Sequence, residues 1–123
     1  MLFRGTDWYR ELSPQEIQEI MGRANAWFER LAAEGKLLAA NPLETEGATI
    51  SHRNGTISDG PFAESKESVG GYVMVAAGSF DEAMAIAREN PMIPHGLIVE
   101  VRAVADICPG MRQALRESEA ALA

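Results

Sequence analysis

Residues 59–77 of the chain read DGPFAESKESVGGYVMVAA. The first part of this stretch combines a tight Gly60-Pro61 turn, an aromatic residue and several charged side chains. A simple connection does not need so many turn-forming, aromatic and charged residues. The loop is therefore expected to carry function, because binding residues concentrate on loops held by rigid elements. The stretch then runs into Tyr72–Ala77, which is apolar on both faces, as in a central strand covered on two sides. It therefore predicts a functional loop that leads into the middle of a sheet.

The length and charge of the chain argue against several classes of protein. Its 123 residues, 46% of them apolar, suffice for one domain with a hydrophobic core. A net charge of −7 argues against nucleic-acid binding, which needs clustered Lys and Arg. No apolar run approaches the roughly 20 residues of a membrane span, so no membrane partner is expected. Because Cys108 is the single cysteine and no signal-peptide core follows Met1, we expect no internal disulfide and a cytoplasmic location.

Capping residues predict both ends of the first helix. Ser13 is a good N-cap, Pro14 fits the first helical position and Glu16 completes a capping box with Ser13. Gly35 is expected to end the helix in the left-handed conformation. The apolar residues between these ends recur at helical spacing and predict a buried stripe: Ile17, Ile20, Met21, Ala24, Trp27, Phe28 and Leu31.

Two further helices follow towards the C-terminus. Ser79 and Glu82 indicate a second capping box, and Asn90-Pro91 ends that helix. Pro109 opens a third helix. The predicted apolar stripes are Phe80, Ala83, Met84 and Ala87 in the second helix, and Ile107, Met111, Leu115 and Leu122 in the third.

A β-hairpin is predicted around Asn54-Gly55, the preferred pair for a two-residue type I′ turn. It joins residues 48–53 to residues 56–59, and the loop length fixes the register. Arg53 then faces Thr56, His52 faces Ile57, Ser51 faces Ser58 and Ile50 faces Asp59. His52 and Asp59 therefore share one face of the hairpin.

The remaining strands complete an α+β fold. Short strands are expected at 2–5, at 36–40 (closed by Asn41-Pro42) and at 97–102, beside the 72–77 strand. The order of elements matches a ferredoxin-like sandwich with an inserted β-hairpin and an extra C-terminal helix. We expect one domain over residues 1–106 and a helical extension over 107–123.

Two helices can cover only one face of such a sheet. The simplest cover for the other face is a second copy of the chain, which predicts a homodimer that packs sheet against sheet around a twofold axis. The alternative is that the 109–122 helix covers part of that face within the monomer or swaps across the interface.

The sequence resembles the YCII-related superfamily and, more narrowly, its DGPF-domain branch. The resemblance is carried by the Asp59–Phe62 motif with Glu64, Lys66-Glu67 and Gly70-Gly71-Tyr72 behind it, and it extends over Arg4-Gly5, Trp8, Ser13–Glu16, Trp27, Phe80–Ala83 and Val99–Arg102. It implies a dimeric α+β barrel or ferredoxin-like fold. Members of the superfamily have been proposed to be enzymes because a His and an Asp sit together in a pocket, whereas the DGPF branch has no settled activity. Ala103 departs from the Val-Arg-Pro ending that is usual among relatives.

His52 and Asp59 are the candidate catalytic pair. Their diagonal positions on one hairpin face bring the side chains within reach, and a carboxylate raises the pKa of an adjacent imidazole, as a general base requires. The alternative interpretation is that Asp59 caps the turn before Gly60-Pro61, with His52 an ordinary strand residue.

The candidate ligand-binding residues surround the same turn: Gly60, Pro61, Phe62, Glu64, Lys66 and His95. Alternatively Phe62 packs into the core or the dimer seam, the charged residues form a solvated loop and His95 occupies a solvent-facing turn. Because neither histidine has a partner at metal-ligand spacing, we expect no metal, and no cofactor motif is present.

Two functions follow from these residues. The first is a dimer that binds a small molecule in a pocket near the Asp59–Phe62 turn, with weak His/Asp acid–base chemistry. The alternative is a non-catalytic protein-interaction or regulatory module.

Overall fold

A computed structural model describes residues 1–48, 50, 52–53, 56–57 and 68–122. The elements in chain order are β1 (Leu2–Arg4), α1 (Pro14–Ala33), β2 (Leu37–Pro42), β3 (His52–Arg53), β4 (Thr56–Ile57), β5 (Val69–Val75), α2 (Phe80–Arg88), a 3₁₀ helix (Ile93–His95), β6 (Ile98–Glu100) and α3 (Pro109–Leu122). The described part of the chain thus contains all three predicted helices and confirms the mixed α+β class.

Four of the strands form an antiparallel sheet in the order β2-β5-β1-β6. β5 lies between β2 and β1, so its predicted central position is confirmed. Within the described ranges these strands make an open sheet rather than a closed barrel. Among the described residues, β3 and β4 pair with each other in a separate two-stranded sheet.

The hydrophobic core lies between α1, α2 and one face of the sheet. Phe3 and Val73 project into it from β1 and β5, and meet Trp27 and Leu31 of α1. The Trp27 indole Nε1 donates a hydrogen bond of 3.3 Å to the carbonyl oxygen of Ile86 in α2. The core therefore fastens both helices to the same side of the sheet.

The ends of α1 are as predicted. The Glu16 backbone N–H donates to the Ser13 hydroxyl, and the Ser13 N–H donates to the Glu16 carboxylate. Gly35 follows the helix with a φ of 71°, which only glycine adopts without strain. At α2 only half of the predicted box forms. The Ser79 hydroxyl accepts from Glu82 N–H, but the Glu82 carboxylate accepts from Gly78.

Three predictions need correction. β2 continues through Asn41-Pro42 instead of stopping before them, because it is an edge strand on which a missing proline N–H is tolerated. Its pairing with β5 also shifts register beside Leu38. Phe80 was expected in the buried stripe of α2 but is 57% exposed, since it begins the helix at the end of the sheet. Met21 is likewise 39% exposed, at the margin of the α1 stripe.

The hairpin register is confirmed where the structure describes it. His52 pairs with Ile57, and Arg53 pairs with Thr56. The other two predicted pairs lie outside the described residues. Among the described helices, none has both the length and the apolar character needed to cross a membrane.

Candidate functional site on the open face of the sheet

The face of the sheet turned away from α1 and α2 carries the candidate site. Side chains alternate along a strand, so Val73 points to the helices and is 1% exposed, whereas its neighbour Met74 points the other way and is 39% exposed. The pairing registers place the following residues on this open face: Leu2, Arg4, Ala39, Asn41, Tyr72, Met74, Ile98 and Glu100.

Four of these side chains form a row across all four strands. Leu2 of β1 pairs with Glu100 of β6 on one side and with Tyr72 of β5 on the other. Tyr72 in turn pairs with Asn41 of β2. At the usual strand spacing, Glu100 and Asn41 lie about 14 Å apart at the two ends of the row. The row is therefore polar at both ends, with Leu2 between.

Arg4 stands in the next row and pairs with one end of the first. Its guanidinium Nη2 lies 3.0 Å from Oε1 of Glu100, across the β1–β6 seam. The two side chains are only 28% and 37% exposed. A half-buried pair of this kind is screened less by solvent than a surface pair, so it holds both side chains in place on the face.

Tyr72 is oriented by its other neighbour. The Asn41 amide Nδ2 donates a 2.8 Å hydrogen bond to the Tyr72 hydroxyl oxygen. A phenolic hydroxyl has one proton to donate in addition to its acceptor positions. The Tyr72 oxygen is the acceptor in this bond, so the bond does not use the hydroxyl proton.

β5, which follows the Asp59–Phe62 motif in the sequence, has near its start two glycines that pack closely against neighbouring residues. A Cβ added at Gly70 would lie 2.2 Å from Oγ1 of Thr6, and one at Gly71 would lie 3.2 Å from the carbonyl oxygen of Asn41. Both glycines therefore allow a close backbone approach. Gly70 brings the start of β5 close to Thr6, and Gly71 brings it close to β2.

The predicted site residues fall into three groups. Six lie outside the described residues: Asp59, Gly60, Pro61, Phe62, Glu64 and Lys66. His52 is exposed on the β3–β4 hairpin. His95 is exposed in the 3₁₀ helix, with its ring centroid 6.5 Å from that of Trp8. It borders a depression of about 140 Å³ together with Glu16, Glu19, Ile20 and Arg23.

Sequence reasoning did not single out Arg4, Asn41 or Tyr72 as site residues. Each is a polar side chain within or beside a predicted strand, which is the signal that could have identified them. Among the described residues, no group of three His, Cys, Asp or Glu side chains is placed to hold a metal ion.

Comparison with known sequences settles the family. The sequence model of the YCII-related domain matches residues 1–107. The chain belongs to the YCII-related family. The resemblance seen in the motif at residues 59–72 is thereby confirmed. This YCII-related chain is also 34% identical, over 103 residues, to an uncharacterized protein of Rhizobium meliloti (strain 1021), an alignment that covers 80% of this chain and 83% of that protein.

The YCII-related match includes every residue of the open face and ends before α3 begins at Pro109.

Proposed function

We propose that this chain is a homodimeric YCII-related domain that binds a small molecule over the open face of the sheet, at the end where the Asp59–Phe62 turn leads into β5. The observation that carries the proposal is the Asn41–Tyr72 hydrogen bond, in which Tyr72 is the acceptor, so that its hydroxyl proton can still be donated to a ligand on the open face. The domain comprises residues 1–106, with residues 107–123 as an extension. Its strand order supports a ferredoxin-like sandwich, in which two βαβ halves share one antiparallel sheet.

The chemistry of the face favours a carbonyl-bearing and largely apolar ligand. Arg4 and Glu100 neutralise each other, so the pair does not call for a charged ligand. The Tyr72 hydroxyl offers a donor to a carbonyl oxygen. Apolar contacts come from Leu2, Met74 and Ile98, the last of which is 46% exposed. A few convergent polar groups on an apolar surface are typical of small-molecule sites.

A second copy of the chain supplies the other wall of the site. Met74 and Ile98 are 39% and 46% exposed although they belong to a four-stranded sheet. Sheet-on-sheet packing around a twofold axis would bury them, and an apolar interface of roughly 800 Å² per partner suits a stable dimer. The bound molecule then lies between two sheets and is shielded from water.

His52 and Asp59 provide the acid–base chemistry in this proposal. The confirmed pairing of His52 with Ile57 supports the register that places His52 and Asp59 on one hairpin face. A carboxylate next to the imidazole would raise its pKa and fix its tautomer, so that the ring can accept a proton from a bound carbonyl compound.

Ligand binding is tested with a library of small aliphatic and aromatic ketones, amides and esters, followed by ¹H–¹⁵N NMR. We expect binders to shift the amide signals of residues 70–74 and 2–4. Tyr72→Phe should weaken binding by roughly tenfold, the effect of losing one hydrogen bond, and leave the melting temperature unchanged. Tyr9→Phe is the matched control, because Tyr9 is 41% exposed and lies outside the row. Equal binding by both variants would refute the assigned site.

The catalytic part has its own experiment. Asp59→Asn and His52→Gln should change the affinity for the identified compound by less than about threefold but abolish its turnover. In this proposal the two side chains serve proton transfer and do not contribute to the apolar contacts that bind the compound. A large loss of melting temperature in Asp59→Asn, with turnover retained, would instead identify Asp59 as a turn cap.

The dimer is tested by sedimentation. Ile98→Glu should give a folded monomer, because an ionised carboxylate cannot be buried unpaired between two sheets. Ala105→Glu, a similar charge change at an exposed position beyond β6, is the control and should remain dimeric.

A further inference from the structure

The end of the sheet opposite the Arg4 row carries a larger cleft. It has a volume of about 450 Å³ and lies where β5 leaves the sheet and α2 begins. Its walls include Leu38, Met74, Phe80 and Val104. These four side chains are 61%, 39%, 57% and 75% exposed, so the cleft presents apolar side chains to solvent, with Ser79 and Arg102 also in its lining.

Helix α3 carries an apolar stripe that the rest of the described chain does not cover. Met111, Leu115 and Leu122 follow one another at spacings of four and seven residues, so they lie along one side of the helix. They are 57%, 51% and 87% exposed, and Ile107 just before the helix is 41% exposed. All residues from Arg102 to Leu122 are exposed, which places the helix away from the core of its own chain.

The two surfaces are joined by a short connection. Val101–Val104 line the cleft as the chain leaves β6, and α3 begins at Pro109. Ser118 falls within the apolar stripe, so a small side chain is available there for close approach. The helix is therefore tethered next to a cleft that its own stripe does not fill.

We propose that α3 of each chain lies in the 450 Å³ cleft of a second copy, so that two chains exchange their C-terminal helices. The apolar area supports this occupant. The stripe and the cleft walls together expose on the order of 800 Å² per chain, which is the share that one partner contributes to a stable interface. Exchange buries both surfaces in each copy at once. It also lies next to the proposed open-face interface, because Met74 belongs to both.

This exchange rests on the proposed homodimer but not on its ligand. Sedimentation of the intact chain reports the dimer, whereas the position of α3 is reported by cross-linking. Failure of the cross-link in a protein that still sediments as a dimer would overturn the exchange alone.

The test uses full-length chains in which the single cysteine is removed by Cys108→Ser. One tagged chain carries Ala77→Cys in the cleft wall, and one untagged chain carries Ser118→Cys in the α3 stripe. The two are mixed and treated with a short bis-maleimide. We expect a covalent heterodimer as the main product. Asn25→Cys, on the exposed side of α1, replaces Ser118→Cys in the control and should give little product.

A single chain that carries both Ala77→Cys and Ser118→Cys distinguishes the other possible occupants of the cleft. A cross-link within one chain, at the monomer mass, would show that α3 folds back onto its own cleft and would overturn the proposal. Absence of any cross-link would overturn it as well, and would leave the cleft to a different protein or to none.

Charge variants of α3 test the apolar contact itself. Leu115→Glu should reduce the heterodimer yield by roughly tenfold or more, since it introduces a charge into an apolar seat. Ala120→Glu places the same charge on the opposite side of the helix and should retain the yield. Both residues are exposed, so neither change disturbs the core, and circular dichroism should show equal helix content. Equal yields from the two variants would contradict docking through the stripe.

Discussion

Two adjacent residues of β5 summarise the difference between the two faces of the sheet. Val73 is 1% exposed beneath α1 and α2, while Met74 is 39% exposed on the side without helices. Both side chains are apolar and both belong to the central strand, so their residue types do not explain the contrast. What differs is the source of the cover. The described helices α1 and α2 cover one face and leave Met74 on the other face partly exposed.

The two faces also differ in their polar groups. On the covered face the Trp27 indole bonds to a backbone carbonyl of α2, so its polar atom serves packing. On the open face the polar side chains form two pairs near the surface, Arg4 with Glu100 and Asn41 with Tyr72. The contrast is the basis for placing the core on one side and the proposed binding site on the other.

The largest expected effect comes from comparing the loss of stability caused by truncating a leucine in the core with that caused by truncating a leucine in the open cleft. Leu31→Ala removes a side chain that is 2% exposed and should lower the free energy of unfolding by about 2–5 kcal/mol. Leu38→Ala, at 61% exposure, should lower it by less than about 1 kcal/mol when measured in urea at low protein concentration. Similar losses for both would mean that the monomer already buries the cleft that Leu38 lines.

A smaller effect is expected at the point where β5 enters the sheet. Gly70→Ala would bring Cβ to 2.2 Å from Oγ1 of the β-branched Thr6, and should destabilise the fold by about 1–3 kcal/mol. Thr6→Gly in the same chain should recover most of the loss. Gly22→Ala is the control, because nothing lies within 4 Å of a Cβ there. Because Gly22 lies inside a helix, its replacement by alanine should raise the free energy of unfolding by about 0.5–1 kcal/mol. A rise in stability for Gly70→Ala would contradict the close approach.

The ion pairs of the two regions should respond differently to salt. Arg30–Glu89 joins the ends of α1 and α2 at 52% and 58% exposure, against 28% and 37% for Arg4–Glu100. Double-mutant cycles should give coupling energies of at most about 1 kcal/mol for each pair. Coupling of Arg30–Glu89 should largely vanish in 1 M NaCl, whereas that of Arg4–Glu100 should persist in part. Equal salt sensitivity would show that the open-face pair is no better shielded.

The smallest effect concerns the rim between α1, α2 and β2. A hydrogen bond to Glu34 and the charges of Glu34 and Glu82 raise the pKa of Lys36 above its ordinary value of 10.5. Because the folded state holds this proton more tightly, the stabilisation is fully present below pH 10.5 and is lost as the pH rises through the raised pKa. Lys36→Met should therefore flatten the alkaline fall in stability measured by urea unfolding. An unchanged profile would argue against the raised pKa.

Local features were predictable from the sequence. The capping box of Ser13 and Glu16, the Gly35 stop and the stripe through Trp27 each depend on residues within one helix, so their physics is visible in a short window. The Asn54-Gly55 pair likewise predicted the His52–Ile57 register, because a two-residue turn fixes it.

The candidate site was not predictable in the same way. Its row joins Glu100, Leu2, Tyr72 and Asn41, which come from four strands far apart in the sequence. Only the strand order and the pairing registers bring them together. Phe80 fails for a related reason. Helical spacing identifies a stripe, but it does not say that the sheet ends before the first residue of α2.

The irregular pairing of β2 has a consequence for assembly. Beside Leu38 the pairing of β2 with β5 shifts register, and at its other end Pro42 has no N–H to donate. An edge strand interrupted at both ends is a poor template for an incoming strand, which protects the sheet from growing sideways into aggregates. Edge-to-edge contact between copies through β2 is thereby disfavoured.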